Sequence, residues 1–327
     1  MTRVAVVGAG AWGEQHARVF AGRADTELVA VLGRNPEKTS ARAARYGATA
    51  YTDLDRMLAA EHPDLVAVCL PNEQHFATTL RLIEAEVPLL VEKPLVFDLG
   101  EADVLLAAAA ERDLFFALNF NHRFAEPVQR ARAAIEAGEL GETVFATWRF
   151  GGEGSVGGTP HANLIETQCH GFDLLEHLVG PIVSVATQMT ATTGTVALAL
   201  EFATGAVGTM VGSYESSYAY PDSQLIEING TAGRAVIRDT VRQLELSRVG
   251  DAATEIWQAG YFDDESRSFA GTVDRHVDAL LLALRSGSEP PVHARAGRRA
   301  LELAMAAIRS HERGERVRVG PGSGALG

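Results

Sequence analysis

The run LIETQCHGFDLLEHL is rich in side chains that can carry protons or hold a metal, among them Glu166, His170, Asp173 and His177. At about 100° per residue in an α-helix these four share roughly one 60° sector. Leu164, Ile165, Leu175, Leu178 and Val179 lie broadly opposite. Such a polar face has three readings. An imidazole titrates near neutral pH, so His170 can serve as a general acid or base. Glu166 and His170, four apart, can give two metal ligands, with a third from His161, Asp173 or His177, but there is no H-E-x-x-H signature and no metal is expected. The third reading is a solvated helix surface. Cys169 points off the polar sector and reads as a small core residue.

A second chemical feature lies at the start of the chain. GAGAWG, Gly8 to Gly13, fits G-x-G-x-x-G between the apolar run RVAVV and the helical stretch WGEQHARVFAG. There Gly8 allows a tight turn, Gly10 lets the backbone approach a pyrophosphate, and Gly13 lets helix pack closely on strand. The helix N-terminus supplies N–H donors for the phosphate. Twenty residues past Gly13, at Gly33, no carboxylate is available for the ribose 2′-hydroxyl of NAD(H). Arg34 follows, with Lys38 one turn on. An arginine fork suits a 2′-phosphate, so NADP(H) is slightly favoured over NAD(H). The third feature is VEKP at 91–94. Pro94 keeps Lys93 out of helical geometry, and the bond between them can be cis.

Apolar strands alternate with helices over the first 120 residues, the pattern of a parallel sheet covered on both faces. TELVAVLGR, DLVAVCLP, PLLVEK and LFFALNF are its later strands. NPEKTSARAARYG is a helix that starts near Asn35-Pro36 and stops at Gly47. After residue 121 the pattern changes. EPVQRARAAIEAGELG reads as a connecting helix, ETVFATWRF as a strand and GGEGSVGGTP as a glycine-rich loop. After the polar helix, strand-like runs from IVSVATQMTAT to VRQLELSRV follow one another across short turns, so the second sheet is mostly antiparallel. Two helices close the chain. The expected organisation is α/β: a dinucleotide-binding Rossmann domain over 1–121, an α+β domain for substrate and oligomer contacts over 122–319, and a floppy tail over 320–327.

Composition narrows the function classes. The 327 residues are 46% hydrophobic and 22% charged, with a net charge of −13. An acidic chain with scattered basic residues does not read as a nucleic-acid binder. No apolar run reaches membrane-spanning length. Cys69 and Cys169 cannot build a disulfide framework. With no signal-peptide pattern at MTRVAVVGAG, the expected location is the cytoplasm.

GAGAWG, CLPNEQH, VEKP, FNHRF, GELGE and the helix motif E-x-x-x-H-x-x-D, in that order, resemble the Gfo/Idh/MocA family over nearly the whole chain. The resemblance implies a Rossmann domain followed by a large open sheet, with the last helix (about 296–312) packed back on the Rossmann domain. It implies hydride transfer between a nicotinamide cofactor and a carbinol carbon of a sugar, sugar derivative or cyclitol. By the same resemblance Lys93 sits by the nicotinamide and the reacting oxygen, His170 is the acid/base, Glu166 assists it or binds substrate, and Asp173 contacts substrate. Arg149 and His161 are further candidates for the substrate pocket. The cofactor set begins with Gly8, Gly10, Ala11, Trp12, Gly13, Gly33, Arg34 and Asn35. It continues with Leu70, Pro71, Asn72, His75, Glu92, Lys93, Asn121 and Arg123. The family helix usually reads D-x-G-x-H-x-x-D, whereas here Glu166 replaces the Asp and Gln168 the Gly, so an altered substrate is expected. A homodimer or homotetramer is expected to cover the open sheet. The same scaffold can also carry a redox glycosidase or a cofactor-sensing regulator without turnover.

Overall fold

A computed structural model describes residues 1–152, 161–216, 223–260 and 268–320. Most of GGEGSVGGTP and nearly all of the tail lie outside the described residues. The chain forms two compact units. Met1–Phe120 and Val273–Arg298 make the first; Asn121–Thr272 and the residues from Arg299 on make the second.

The first unit is built on six parallel strands: β1 (Thr2–Val7), β2 (Thr26–Leu32), β3 (Thr49–Tyr51), β4 (Leu65–Val68), β5 (Leu89–Val91) and β6 (Phe116–Leu118). Their spatial order is β3-β2-β1-β4-β5-β6. The order reverses between β1 and β4, and ligands of such sheets bind beyond the carboxyl ends of the strands at that point. Val4 to Val7, Leu65 to Val68 and Leu89 to Val91 are wholly buried, which accounts for their unbroken apolar runs. The helices are α1 (Ala11–Ala21), α2 (Pro36–Arg45), α3 (Leu54–Glu61), α4 (His75–Glu84) and α5 (Leu99–Ala110). Asn35, Asp53 and Asp98 cap α2, α3 and α5 through their side chains. Val273, Val277, Leu280 and Leu281 of the helix Phe269–Ser286 join Val4, Val6, Phe20 and Leu28 in one apolar cluster.

The second unit carries a nine-stranded sheet. Its strands are β7 (Thr143–Gly151), β8 (Ile182–Met189), β9 (Thr195–Phe202), β10 (Val207–Ser213), β11 (Gln224–Gly230), β12 (Gly233–Arg238), β13 (Gln243–Arg248), β14 (Glu255–Gln258) and β15 (Val317–Arg318). The order is β14-β13-β12-β11-β7-β10-β9-β8-β15, and among the described residues β7 with β10 is its one parallel pair. Helices α6 (Glu126–Glu136) and α7 (Cys169–Val179) pack on β7, β12 and β13. On the opposite face Phe145 of β7 stands beside Val207 of β10, and both are exposed.

One expected element is divided. LIETQCHGFDLLEHL is not a single α-helix. Asn163–Thr167 forms a π turn, with the Gln168 N–H bonded to the Asn163 carbonyl at 3.0 Å, and α7 begins at Cys169. The wheel that put Glu166 in register with His170, Asp173 and His177 assumes 3.6 residues per turn throughout. It holds only from Cys169 onward, and Glu166 belongs to the wider turn before it. Among the described residues no helix is long and apolar enough to cross a membrane.

Candidate active site

In the first unit the glycine turn has the geometry its sequence implies. Gly8 has φ +128°, and a Cβ there would lie 2.2 Å from the Cys69 carbonyl oxygen. A Cβ on Gly13 would lie 1.8 Å from the Gly8 oxygen, so helix and turn touch backbone to backbone. Gly10 faces open space, with nothing within 4 Å of a built Cβ. Unlike α2, α3 and α5, helix α1 starts without a side-chain cap. With Gly8 and Gly10, this uncapped first turn of α1 fits a pyrophosphate. Gly33 is tight against Thr39 and Ala9, and Arg34 is exposed beyond the end of β2. Asn35 spends its side-chain oxygen on the Lys38 N–H, at 2.9 Å, as the cap of α2.

Several expected cofactor contacts turn inward instead. His75 is wholly buried, with its ring nitrogens 2.9 Å from the Leu70 and Pro94 carbonyl oxygens, so it ties the turn after β4 to the EKP turn. Pro71 and Asn72 remain at the surface of that turn. Glu92 is also turned away from solvent. Its Oε1 lies 2.7 Å from both His16 Nε2 and Asn119 Nδ2, and its Oε2 accepts the Lys93 N–H at 3.2 Å. Burial lowers the His16 pKa, but the Cys69 sulfur and the Glu92 carboxylate beside it outweigh burial and raise it to about 10. Burial raises the Glu92 carboxyl in turn, and His16, Lys93 and Asn119 bring it below its ordinary range. The two form a buried ion pair. Lys93 follows, half-buried, with a cis bond to Pro94. Lys38 and Lys93 are the chain's two lysines among 29 Lys and Arg residues. A chain that uses arginine almost everywhere keeps an amine here, and an amine, unlike a guanidinium, can give up its proton.

In the second unit His170 occupies the first turn of α7 and is 6% exposed. Its ring stacks on His122 with centroids 3.8 Å apart and planes 7° from parallel. Phe269 meets the other ring edge-on at 4.7 Å. His122 was missed among the candidates, although it lies inside FNHRF between two residues that were singled out. Glu166 is half-buried on the π turn. His161 has φ +61°, a conformation uncommon for a residue with a Cβ.

Several polar side chains are held by partners within the unit. Asp173 takes a two-pronged bond from Arg123, at 2.9 and 2.6 Å, and its side chain is 2% exposed. Burial raises the Asp173 carboxyl, opposed by that guanidinium. Arg123 is thereby committed to Asp173, and Asn121 donates to Thr272 Oγ1 at 2.7 Å. Arg149 alternates with buried Trp148 and Phe150 along β7, so it stands exposed on the sheet face away from α7. Gln168 is wholly buried. It accepts from the Trp148 indole N–H at 2.9 Å and donates to Asn163 Oδ1 at 3.2 Å. His177 is held neutral, its pKa pushed down to about 3 by burial and by Arg123 and Arg132.

A strand order of 3-2-1-4-5-6 with an uncapped glycine turn at its switch point defines a dinucleotide-binding unit, here joined to an open-sheet unit that buries a histidine. The comparisons agree. Residues 2–120 match the family model for an oxidoreductase family with an NAD-binding Rossmann fold, and 132–319 match that family's C-terminal alpha/beta domain. The chain belongs to the Gfo/Idh/MocA oxidoreductase family. It is 28% identical over 324 residues to inositol 2-dehydrogenase of Rhizobium meliloti (strain 1021), covering 94% of this chain and 96% of that one. It is 24% identical to myo-inositol 2-dehydrogenase of Thermotoga maritima, covering 97% and 98% of the two chains. A solved levoglucosan dehydrogenase in complex with NADH shares the fold, with TM-score 0.88, 18% identity and coverage of 98% and 99%.

Proposed function

We propose that the chain is a nicotinamide-dependent dehydrogenase that interconverts a hydroxyl and a ketone on a sugar, sugar derivative or cyclitol. The observation that carries this reading is Lys93. It is a half-buried lysine on a fixed turn just past β5, on the strand-end side of a sheet whose first glycine turn fits a pyrophosphate. The names of the full-length inositol dehydrogenase relatives support a polyol substrate. When bound, the nicotinamide dinucleotide supplies the hydride donor or acceptor. Gly8, Gly10 and the first turn of α1 bind its phosphates. His170 moves the proton at the reacting oxygen, Lys93 stabilises charge on that oxygen as it develops, and Glu166 orients His170 or holds a neighbouring hydroxyl. His161 is retained as a substrate contact.

The cofactor reading leans to NADP(H), because Arg34 is exposed and Gly33 and Asn35 beside it offer no carboxylate for a 2′-hydroxyl. The exposed Phe145, Val207 and Val211 support a second copy covering the outer sheet face. The test is a polyol screen followed by nicotinamide absorbance with NAD(H) and with NADP(H). One polyol is expected to turn over, and Lys93→Met or His170→Asn should each slow it about 10²–10⁴-fold. Binding of cofactor with no turnover of any polyol would favour a regulator. Leaving-group release without net cofactor change would favour a redox glycosidase. A tenfold preference for NADH, about 1.4 kcal/mol, would refute the Arg34 argument. A monomer by light scattering would refute the oligomer.

A further inference from the structure

Four buried polar side chains from distant parts of the sequence converge beneath the EKP turn. His16 comes from α1, Glu92 from the end of β5, Asn119 from the end of β6 and His276 from the helix Phe269–Ser286. His16 and His276 are wholly buried, Asn119 is 1% exposed and Glu92 5%. The hydrogen-bond directions are determined by chemistry. The Glu92 carboxylate can only accept, so the Asn119 amide turns its NH₂ toward Glu92, at 2.7 Å. The amide oxygen is then left facing His276 Nδ1 at 2.8 Å, so Nδ1 carries the proton. Glu92 passes the constraint on through its second oxygen, which accepts the backbone N–H of Lys93. On the far side of the same turn His75 sits against the Pro94 carbonyl.

A network of this kind is not the cheapest way to fill a core. Replacing a buried ion pair with packed apolar groups is often neutral or stabilising, whereas a buried hydrogen-bonded network favours one arrangement of the groups it joins. What this network specifies is the backbone at residue 93. We propose that His16, Asn119 and His276 are positioning residues that act through Glu92 to aim Lys93. The inference rests on the proposed role of Lys93, but the effect on Lys93 can be read without any substrate.

The experiment uses the full chain in four forms: wild type, Asn119→Leu, His276→Leu and Lys93→Met, with both positioning changes also combined with Lys93→Met. Reductive methylation with ¹³C-formaldehyde labels only Lys38, Lys93 and the N-terminal amine, so each signal is assignable; Lys93→Met identifies one of them. The Lys93 signal should move in Asn119→Leu and in His276→Leu, while the Lys38 signal stays in place. In turnover, misplacement of Lys93 should lower kcat about a hundredfold in Asn119→Leu with the cofactor Kd little changed. Made on top of Lys93→Met, the same change should cost almost nothing, because its route of action is gone. A purely structural role gives equal losses in both backgrounds and overturns the proposal. So does an unmoved Lys93 signal in both variants. His276→Leu gives the answer if Asn119→Leu does not fold. If wild type turns over no polyol, or Lys93→Met is fully active, the proposed function fails, and the NMR comparison still decides the positioning.

Discussion

Gly212 on β10 is the mirror of Gln168. A Cβ added to Gly212 would lie 2.1 Å from Cδ of Gln168, 2.4 Å from Nε2 and 2.5 Å from Oε1. Carbon atoms in contact sit about 3.5–4.0 Å apart, so the amide must retreat by more than an ångström. A glutamine tip is usually free to do that, but this one is wholly buried and bonded at both ends, to the Trp148 indole N–H and to Asn163. Retreat breaks both bonds and strands the N–H of Trp148, which is 1% exposed. Overpacking costs about 1–3 kcal/mol, and a stranded buried donor about 1–3 more. Gly212→Ala should therefore destabilise by about 2–6 kcal/mol, which at about 2–4 °C per kcal/mol lowers Tm by about 4–24 °C. The assay is thermal unfolding of Gly212→Ala, Gln168→Ala and the double variant. Gln168→Ala removes the obstacle as well as the bonds, so the double variant should be more stable than the sum of the singles by about 1 kcal/mol or more. Strict additivity, or a Gly212→Ala protein that melts with wild type, would refute the reasoning.

Three further outcomes follow from buried charge. His177 has a folded pKa near 3, far below an unfolded imidazole near 6.5, so its contribution to stability is intact above pH 6.5 and erodes as pH falls from there toward 3. Urea midpoints should drop between pH 6.5 and 4, and His177→Phe should flatten that slope; a slope unchanged in the variant would count against it. His16 works in the opposite sense: its pKa is raised to about 10, so the stability it gives is full below pH 6.5 and is lost as pH rises through about 10. Arg123→Leu leaves the Asp173 carboxylate buried and unpaired and should cost about 3–5 kcal/mol by urea unfolding. Removing both charges, in Arg123→Leu with Asp173→Leu, should recover most of that loss; a double variant no better than the single would contradict the pairing.

What the sequence made legible was local. Unbroken apolar runs gave the buried strands, Asn35-Pro36 gave the start of α2, and GAGAWG gave the turn before α1, because each depends on residues a few positions apart. β3 was missed: three residues carry too little periodicity to register. The destinations of polar side chains were legible only in part, since they depend on partners far along the chain. Asp173 and Arg123 lie 50 positions apart, and Asn119 and His276 lie 157 apart. No helical wheel contains those pairings, so a face that looks catalytic in one dimension can be half committed to ion pairs in three.

The same distinction separates the two departures from D-x-G-x-H. At the level of sequence Glu166 and Gln168 looked alike, two residues altered beside the histidine. In the fold they part. Gln168 is turned into the sheet, seated over Gly212 and bonded to Trp148, so its bulk is absorbed by the core. Its neighbour Gly171 leaves room on the same indole, where a Cβ would lie 2.6 Å from Nε1. Glu166 stays half-buried on the π turn. A π turn carries an extra residue and re-aims the side chains it holds. A carboxylate one methylene longer, set on a wider turn, changes where its oxygens fall relative to His170. Substrate choice should therefore respond to Glu166→Asp and not to conservative repacking at 168. A screen in which Glu166→Asp leaves the order of preferred polyols intact would shift the origin of selectivity elsewhere in the unit.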